Sequence, residues 1–286
     1  MKTHLKEPLM KGLCALCAAL SILAVGLICW FLSVNGVPAL QKIGLFSFLS
    51  GSTWAPESGS FGILPMIMGT LYLAAGSLLL GVPIGVLCAV FLVYYCPKKL
   101  AEPFKFVISL LAGIPSIVFG FFGLVVLVPA LQVLFPGTSG KGILCASIVL
   151  SIMILPTIVS LCENALQKVD PALYDASLAL GASHDHTVFF VCLPAAFSGI
   201  LAAAVLGLGR AIGETMAVIM VAGNAAVFPK SLLTPMRTLT TNIVMEMSYA
   251  SGLHREALIA TALVLFVLIL MMNTALGGLK RKERSV

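Results

Sequence analysis

Arg210 and Glu214 stand four residues apart in Gly207-Leu208-Gly209-Arg210-Ala211-Ile212-Gly213-Glu214-Thr215-Met216-Ala217-Val218, an otherwise apolar stretch. An arginine deep in a bilayer costs about 2.5 to 3.5 kcal/mol on insertion scales, so it requires protein or water around it and a partner. On one continuous helix this spacing puts the pair on one face, and Asn224 joins them if the helix runs that far. Gly207, Gly209 and Gly213 leave the neighbourhood almost bare, which suits close helix approach or access for a small solute. Two chemistries fit. One is an internal salt bridge that neutralises itself; the other is a relay in which the guanidinium meets an oxyanion. Thr215 adds a hydroxyl to the candidate pathway of Arg210, Glu214 and Asn224.

The elements that must position these residues follow from composition. A chain of 286 residues that is 60% hydrophobic and 10% charged cannot hide its apolar surface in one soluble core. Six runs have the roughly 20 apolar residues that a membrane helix needs. They are Leu13 to Val34, Pro65 to Tyr95, Phe106 to Phe135, Gly142 to Cys162, Pro194 to Ala222 and Glu256 to Gly277. The expected class is an all-α integral membrane protein of six transmembrane helices, with Pro83, Pro115 and Pro129 tilting or kinking the longer runs. The first run is too long for a signal peptide and lacks a small-x-small cleavage site after it.

The chain divides into a tail (1–12), the first span (13–34), a loop (35–64), a core of five spans (65–277) and a basic tail (278–286). Basic residues collect on the cytoplasmic side of short loops. Lys2, Lys6, Lys11, Lys98, Lys99, Lys105, Lys168, Lys280, Arg281, Lys282 and Arg284 make 11 on the side of the termini, against Lys42, Lys141, Lys230, Arg237 and Arg255, 5 on the other. Both termini are therefore expected in the cytoplasm and the 35–64 loop outside. The net charge of +6 is explained by anchoring to anionic lipid heads, without nucleic acid.

A polar interlude, 163–193, separates the fourth and fifth spans. Asp170 can cap a short helix, Pro171 suits its first position, and Gly181 can take the left-handed conformation that stops it. About three turns long, such a helix needs something to pack against. The order Asp175-Ala176-Ser177, three residues, Gly181, nine residues, Val191-Cys192-Leu193-Pro194 resembles the "EAA" loop of bacterial ABC importer permeases. The departures are Asp175 where that family usually has Glu and Ser177 where it usually has Ala. The resemblance makes Asp175, Ala176, Ser177, Gly181, Leu193 and Pro194 the expected docking surface for an ATPase subunit.

Arg210 to Val218, Met220-Val221-Ala222-Gly223-Asn224, Trp54-Ala55-Pro56 leading to Phe61-Gly62-Ile63-Leu64-Pro65, and Leu111-Ala112-Gly113-Ile114-Pro115-Ser116 together resemble the PstC-type permease subunits of bacterial phosphate ABC importers. The likeness covers roughly residues 55 to 275. It implies a type I importer fold in the bacterial inner membrane, pairing with a PstA-type sister permease, a dimer of PstB-type ATPases that uses the ATP and Mg, and a periplasmic or lipid-anchored PstS-type phosphate-binding protein. It implies no catalytic site and no cofactor bound by this chain. Glu214 fits that substrate: a carboxylate beside a guanidinium repels a fully ionised oxyanion but accepts a hydrogen bond from one that keeps a proton. Near neutral pH phosphate keeps one and sulfate does not.

Other signals carry less. All eight cysteines fall within spans or at their cytoplasmic ends, where disulfides do not persist, and Cys14 and Cys17 lie in an apolar helix as packing residues. His184 and His186 flank Asp185 without a third ligand, so a solvated loop rather than a metal is expected there. Gly137-Thr138-Ser139-Gly140-Lys141-Gly142 fails as a phosphate loop because its glycine spacing is wrong and Lys141 is followed by Gly. Beyond the fifth span, Leu239 to Tyr249 reads as an amphipathic surface helix, with Arg237, Thr238 and Asn242 as candidate donors to an entering anion. Trp54 and Tyr72 read as bilayer-interface anchors. The competing classes are a secondary transporter, which lacks a second Arg-x-x-x-Glu run here, and a membrane enzyme, which lacks a nucleophile beside a base. Within ABC importers, a sulfate, molybdate or organic-solute permease is the alternative.

Overall fold

The structure, a computed structural model, describes residues 6–283, with side chains described for residues 10–275. Lys2 and Arg284, counted in the two tails, lie outside the described residues.

Helix α1 (Lys6–Ile43) continues past Val34, where sequence placed the start of a loop. Asn35 stays within the helix, its side-chain amide donating to the Phe31 carbonyl at 2.8 Å. The extension is packed against the last helix: a Cβ on Gly36 would lie 3.3 Å from Ala260 Cα, and Ala39 is fully buried. Gly44, at φ +89°, ends the run, so the connecting segment is about nine residues shorter than its 35–64 assignment. It contains α2 (Leu45–Ser50) and a small antiparallel hairpin of β1 (Trp54–Ala55) and β2 (Ser60–Phe61).

Helix α3 (Leu64–Val90) runs on through a wide π turn, Phe91–Tyr95. The third apolar run is divided. α4 (Lys98–Gly113) ends where Pro115 forces Ile114 into an extended conformation, φ −72° and ψ 127°, so Phe106–Gly113 belong to α4. The span proper is Ser116–Leu134, comprising α5 (Ser116–Phe122), a second π turn and α6 (Val128–Leu134). α4 buries none of its residues and is tied down by Lys105 Nζ, 2.6 Å from Glu163 Oε1 on α7 (Ile143–Gln167). That carboxylate holds the Lys105 ammonium above its ordinary pKa.

α7 is the hub. Leu150, Ile154 and Ile158 are fully buried, and α3 lies against them through small residues: a Cβ on Gly85 would stand 2.6 Å from Ile158 Cγ2. In a bilayer such close approach supplies the van der Waals contact that holds helices together, because lipid tails remove the hydrophobic drive. After α7 come α8 (Pro171–Ala179), one-turn α9 (His184–Thr187), a third π turn to Cys192, α10 (Leu193–Ala195) and α11 (Phe197–Gly213). α12 (Met216–Val221), α13 (Leu239–Glu246) and α14 (Gly252–Glu283) complete the chain. Among the described residues, five helices are long and apolar enough to cross a membrane. The pair His184–Ala195 and Phe197–Gly213, bent by 66°, makes a sixth when taken as one span.

Candidate functional site

The run expected to continue from Pro194 to Ala222 breaks at Glu214. α11 stops at Gly213, Glu214 is extended at φ −70° and ψ 127°, and α12 begins after Thr215. Arg210 and Glu214 therefore do not share a helical face, and no ion pair joins them among the described residues. Gly213-Glu214 gives the physical reason: glycine is a poor helix residue, and the Glu214 carbonyl is within 3.5 Å of the Thr240 hydroxyl on α13. Arg210 turns instead to α7, where its Nη1–H donates to Thr157 Oγ1 at 2.9 Å. The Thr215 hydroxyl donates to the nearby Gly213 carbonyl, at 3.3 Å.

The three glycines divide the two roles expected of them. Gly207 gives close approach, since a Cβ there would lie 3.3 Å from Ile158, whereas Gly209 and Gly213 face open space. Arg210, half-buried, is thus flanked by uncovered backbone with its charge met by a neutral hydroxyl.

Asn224 falls outside α12. It is the single non-glycine at positive φ, +55°, among the described residues, follows Gly223 at φ +81°, and donates to the Ile219 carbonyl at 2.7 Å. Its own carbonyl accepts from Arg237 Nε at 3.0 Å. Arg237 Nη1 further donates to Asn242 Oδ1 at 3.0 Å and meets Glu246 Oε1 at 2.6 Å. Thr238 caps α13 in a reciprocal capping box with Thr241. The three residues expected to greet an entering anion are therefore brought together; Arg237 and Thr238 spend donors inside the protein, whereas Asn242 Nδ2 is buried without a partner among the described residues. α13 itself is buried at Leu239, Thr240, Thr241, Asn242 and Glu246, which corrects the surface-helix expectation.

Glu246 is the residue that sequence reasoning missed. Besides Arg237 it accepts from Trp54 Nε1 at 2.8 Å and lies 2.8 Å from His254 Nε2. Trp54 is accordingly buried against Phe61 and His254 instead of lying at the bilayer interface. A lone carboxylate at the end of an otherwise uncharged run, Leu239–Glu246, with an arginine nine residues before it, was the available signal.

The polar interlude folds as its residues dictate. Asp170 Oδ1 accepts from the Ala172 N–H at 2.9 Å, Pro171 occupies the first position of α8, and Gly181 takes φ +87°. Asp175 and Ala176 are exposed, Ser177 half-buried. Leu180 is 90% exposed, and Leu173 and Leu178 join it as bare apolar side chains, a surface of the kind that marks an interaction site. The inner side of α8 is fastened: Ser177 Oγ lies 2.9 Å from Thr187 Oγ1, and Tyr174 Oη lies 2.6 Å from His184 Nδ1. Tyr95, at the end of the α3 span, donates to Asp185 Oδ1 at 2.6 Å. His184, Asp185 and His186 thus form a bonded helical turn instead of a solvated loop. No cluster of three metal-ligating side chains exists among the described residues. Leu193 and Pro194 lie in α10 at the bend into α11.

Comparison with known proteins gives one consistent result. The profile of the family described as "Binding-protein-dependent transport system inner membrane component" matches residues 81–285. The chain is 38% identical over 261 residues to a probable ABC transporter permease protein of Bacillus subtilis, covering 88% of this chain and 84% of that one. It is 36% identical over 271 residues to the phosphate transport system permease protein PstC of Mesorhizobium japonicum, covering 88% and 83%. Among solved structures, a chain of the inward-facing MetNI methionine ABC transporter superposes with a TM-score of 0.60 at 22% identity, over 80% of this chain and 99% of that one. A chain of a bacterial alginate ABC transporter gives 0.59 at 17% identity, over 92% and 94%.

Proposed function

Since the chain belongs to the family of binding-protein-dependent transport system inner membrane components, we propose that it is the membrane-spanning permease subunit of an ATP-driven importer of inorganic phosphate. The observation that carries the transport reading is α8, which with the Leu180 that follows it exposes Asp175, Leu173 and Leu180 while Ser177 and Tyr174 bind it back to the approach to α11. A force applied to its outer face reaches the helix that bears Arg210. The phosphate reading draws on the relatives named as phosphate transport permeases and on a membrane arginine that, among the described residues, is met by a hydroxyl and by no carboxylate.

In this reading both termini and α8 are cytoplasmic, in the bacterial inner membrane. A PstA-type sister permease forms the other half of the pathway, and a dimer of PstB-type ATPases docks on α8 and hydrolyses ATP with Mg. A PstS-type protein, periplasmic or lipid-anchored, delivers phosphate to the far side. The chain has no catalytic site and binds no cofactor of its own. Closure of the ATPase dimer moves α8 as a lever, and the bundle alternates its access. For transport to be driven, the two states must differ in their affinity for the anion, so Arg210 is open to the pathway in one and re-paired in the other. Thr157 is the partner it holds here.

The test is reconstitution of this chain with the sister permease, ATPase and binding protein in liposomes. ATP-dependent accumulation of labelled phosphate, resistant to competing sulfate or molybdate, is expected. Accumulation by this chain alone, or preference for another anion, overturns the reading.

A further inference from the structure

Hydroxyls on the buried helices of this protein mostly satisfy themselves. Thr70 donates to the Met66 carbonyl at 2.8 Å, Thr261 to Ala257 at 2.9 Å and Ser151 to Ile148 at 2.7 Å, each one turn back on its own helix. Thr157 is different. Among the described residues its oxygen accepts from Arg210 while its proton is given to no carbonyl. A hydroxyl that accepts from a guanidinium and keeps its own O–H free presents, with the remaining guanidinium N–H groups, a set of donors and no negative charge. That is the lining an oxyanion requires.

The same side of α7 stays polar toward the end that carries α8. Asn164 and Lys168 lie seven and eleven residues beyond Thr157, about two and three turns on, which returns them to nearly the same helical face. They open on a cavity of about 380 Å³ between α7 and α11, lined also by Ser198, Gly199 and Ala202. Gly199 stands eleven residues before Arg210, within about 20° of it around α11, so the cavity lies along the seam that carries the Arg210–Thr157 contact. Among the described residues the side chains of Asn164, Lys168 and Ser198 have no hydrogen-bond partner. The neighbouring carboxylate, Glu163, is occupied by Lys105 and by Gln167, and none lines the cavity. Among the described residues Lys168 makes no ion pair, and Asp170, two residues on, turns its Oδ1 to the Ala172 N–H, so the lysine stands at the mouth of a space with ample room for a tetrahedral oxyanion.

We propose that Thr157, Asn164 and Lys168 form the inner half of the anion route, with Thr157 binding the oxyanion beside Arg210 and the α7–α11 cavity holding it before release. The proposal rests on the import of phosphate argued above. The anion passes by exchange of hydrogen bonds: it displaces Thr157 from Arg210, takes the Thr157 O–H, then descends the seam to Lys168. Neutral donors between two cations keep each step reversible, since a continuous row of lysines would trap the anion.

The test uses the complete complex in liposomes, with labelled inorganic phosphate. Thr157→Val, close in size but without a hydroxyl, is expected to lower kcat about tenfold, and Thr157→Ser to restore it. Asn164→Leu and Lys168→Met are expected to slow uptake several-fold with the ATPase still co-purifying, while Gln167→Leu, a quarter-turn off that face, retains it. A wild-type complex that imports no phosphate overturns the functional reading and the route with it. A wild-type complex that does import it, combined with undiminished uptake in Thr157→Val or in both Asn164→Leu and Lys168→Met, overturns the route alone. So does a Thr157→Ser as slow as Thr157→Val.

Discussion

Arg237 Nη1 lies 2.6 Å from Glu246 Oε1, with side chains only 15% and 9% exposed. This pair, on the segment after α12 and on α13, clasps the hairpin through Trp54 and α14 through His254. Removing one partner of a buried ion pair leaves a charge without compensation, which costs about 3 to 5 kcal/mol. Glu246→Ala is expected to lower the thermal midpoint of the detergent-purified complex sharply, and Glu246→Gln less. Equal midpoints for Glu246→Ala and the wild type would contradict the structural role.

Asp175 lies on the exposed face of α8. Replacing it with Lys reverses a charge at the docking surface without touching a buried contact, so fold stability should move by less than about 0.5 kcal/mol. ATPase recovery on affinity purification should fall, and transport with it. Full recovery together with wild-type transport would remove α8 from the docking role. Leu180→Asp, at the most exposed apolar position of the loop, should act in the same direction.

Glu214 occupies the break between α11 and α12 and forms no ion pair with Arg210. Glu214→Gln is therefore expected to leave stability within about 0.5 kcal/mol of wild type. If its carboxylate rejects fully ionised oxyanions, the variant should admit sulfate as a competitor of phosphate uptake. An unchanged ratio of phosphate to sulfate uptake would exclude that selectivity role.

Tyr95 couples the end of the α3 span to Asp185 at 2.6 Å, a link that the order of segments does not reveal. Tyr95→Phe retains the ring against His184, at a centroid distance of 4.9 Å, and deletes only the hydroxyl. Coupling between sites is commonly worth 1 to 3 kcal/mol, and losing part of it should reduce phosphate moved per ATP hydrolysed by about threefold. Measured uptake and hydrolysis that stay in their wild-type ratio would dismiss this link.

Sequence alone determined the features that depend on local chemistry or on the solvent. Apolar runs of membrane length, the Asp170 cap, Pro171 at the first position and the left-handed Gly181 are each decided within a few residues, because bilayer thickness and backbone sterics act without reference to distant parts of the chain. The spacing around Asp175 and the Arg210 to Asn224 motif likewise carried the family likeness. Tertiary structure decided which polar groups meet. The helix break at Glu214 turned an expected pair at four-residue spacing into a contact between Arg210 and Thr157, 53 positions apart. Trp54 met Glu246 across 192 positions. A charge in an apolar interior must find a partner, but its identity depends on which helices pack side by side, and no local pattern encodes that.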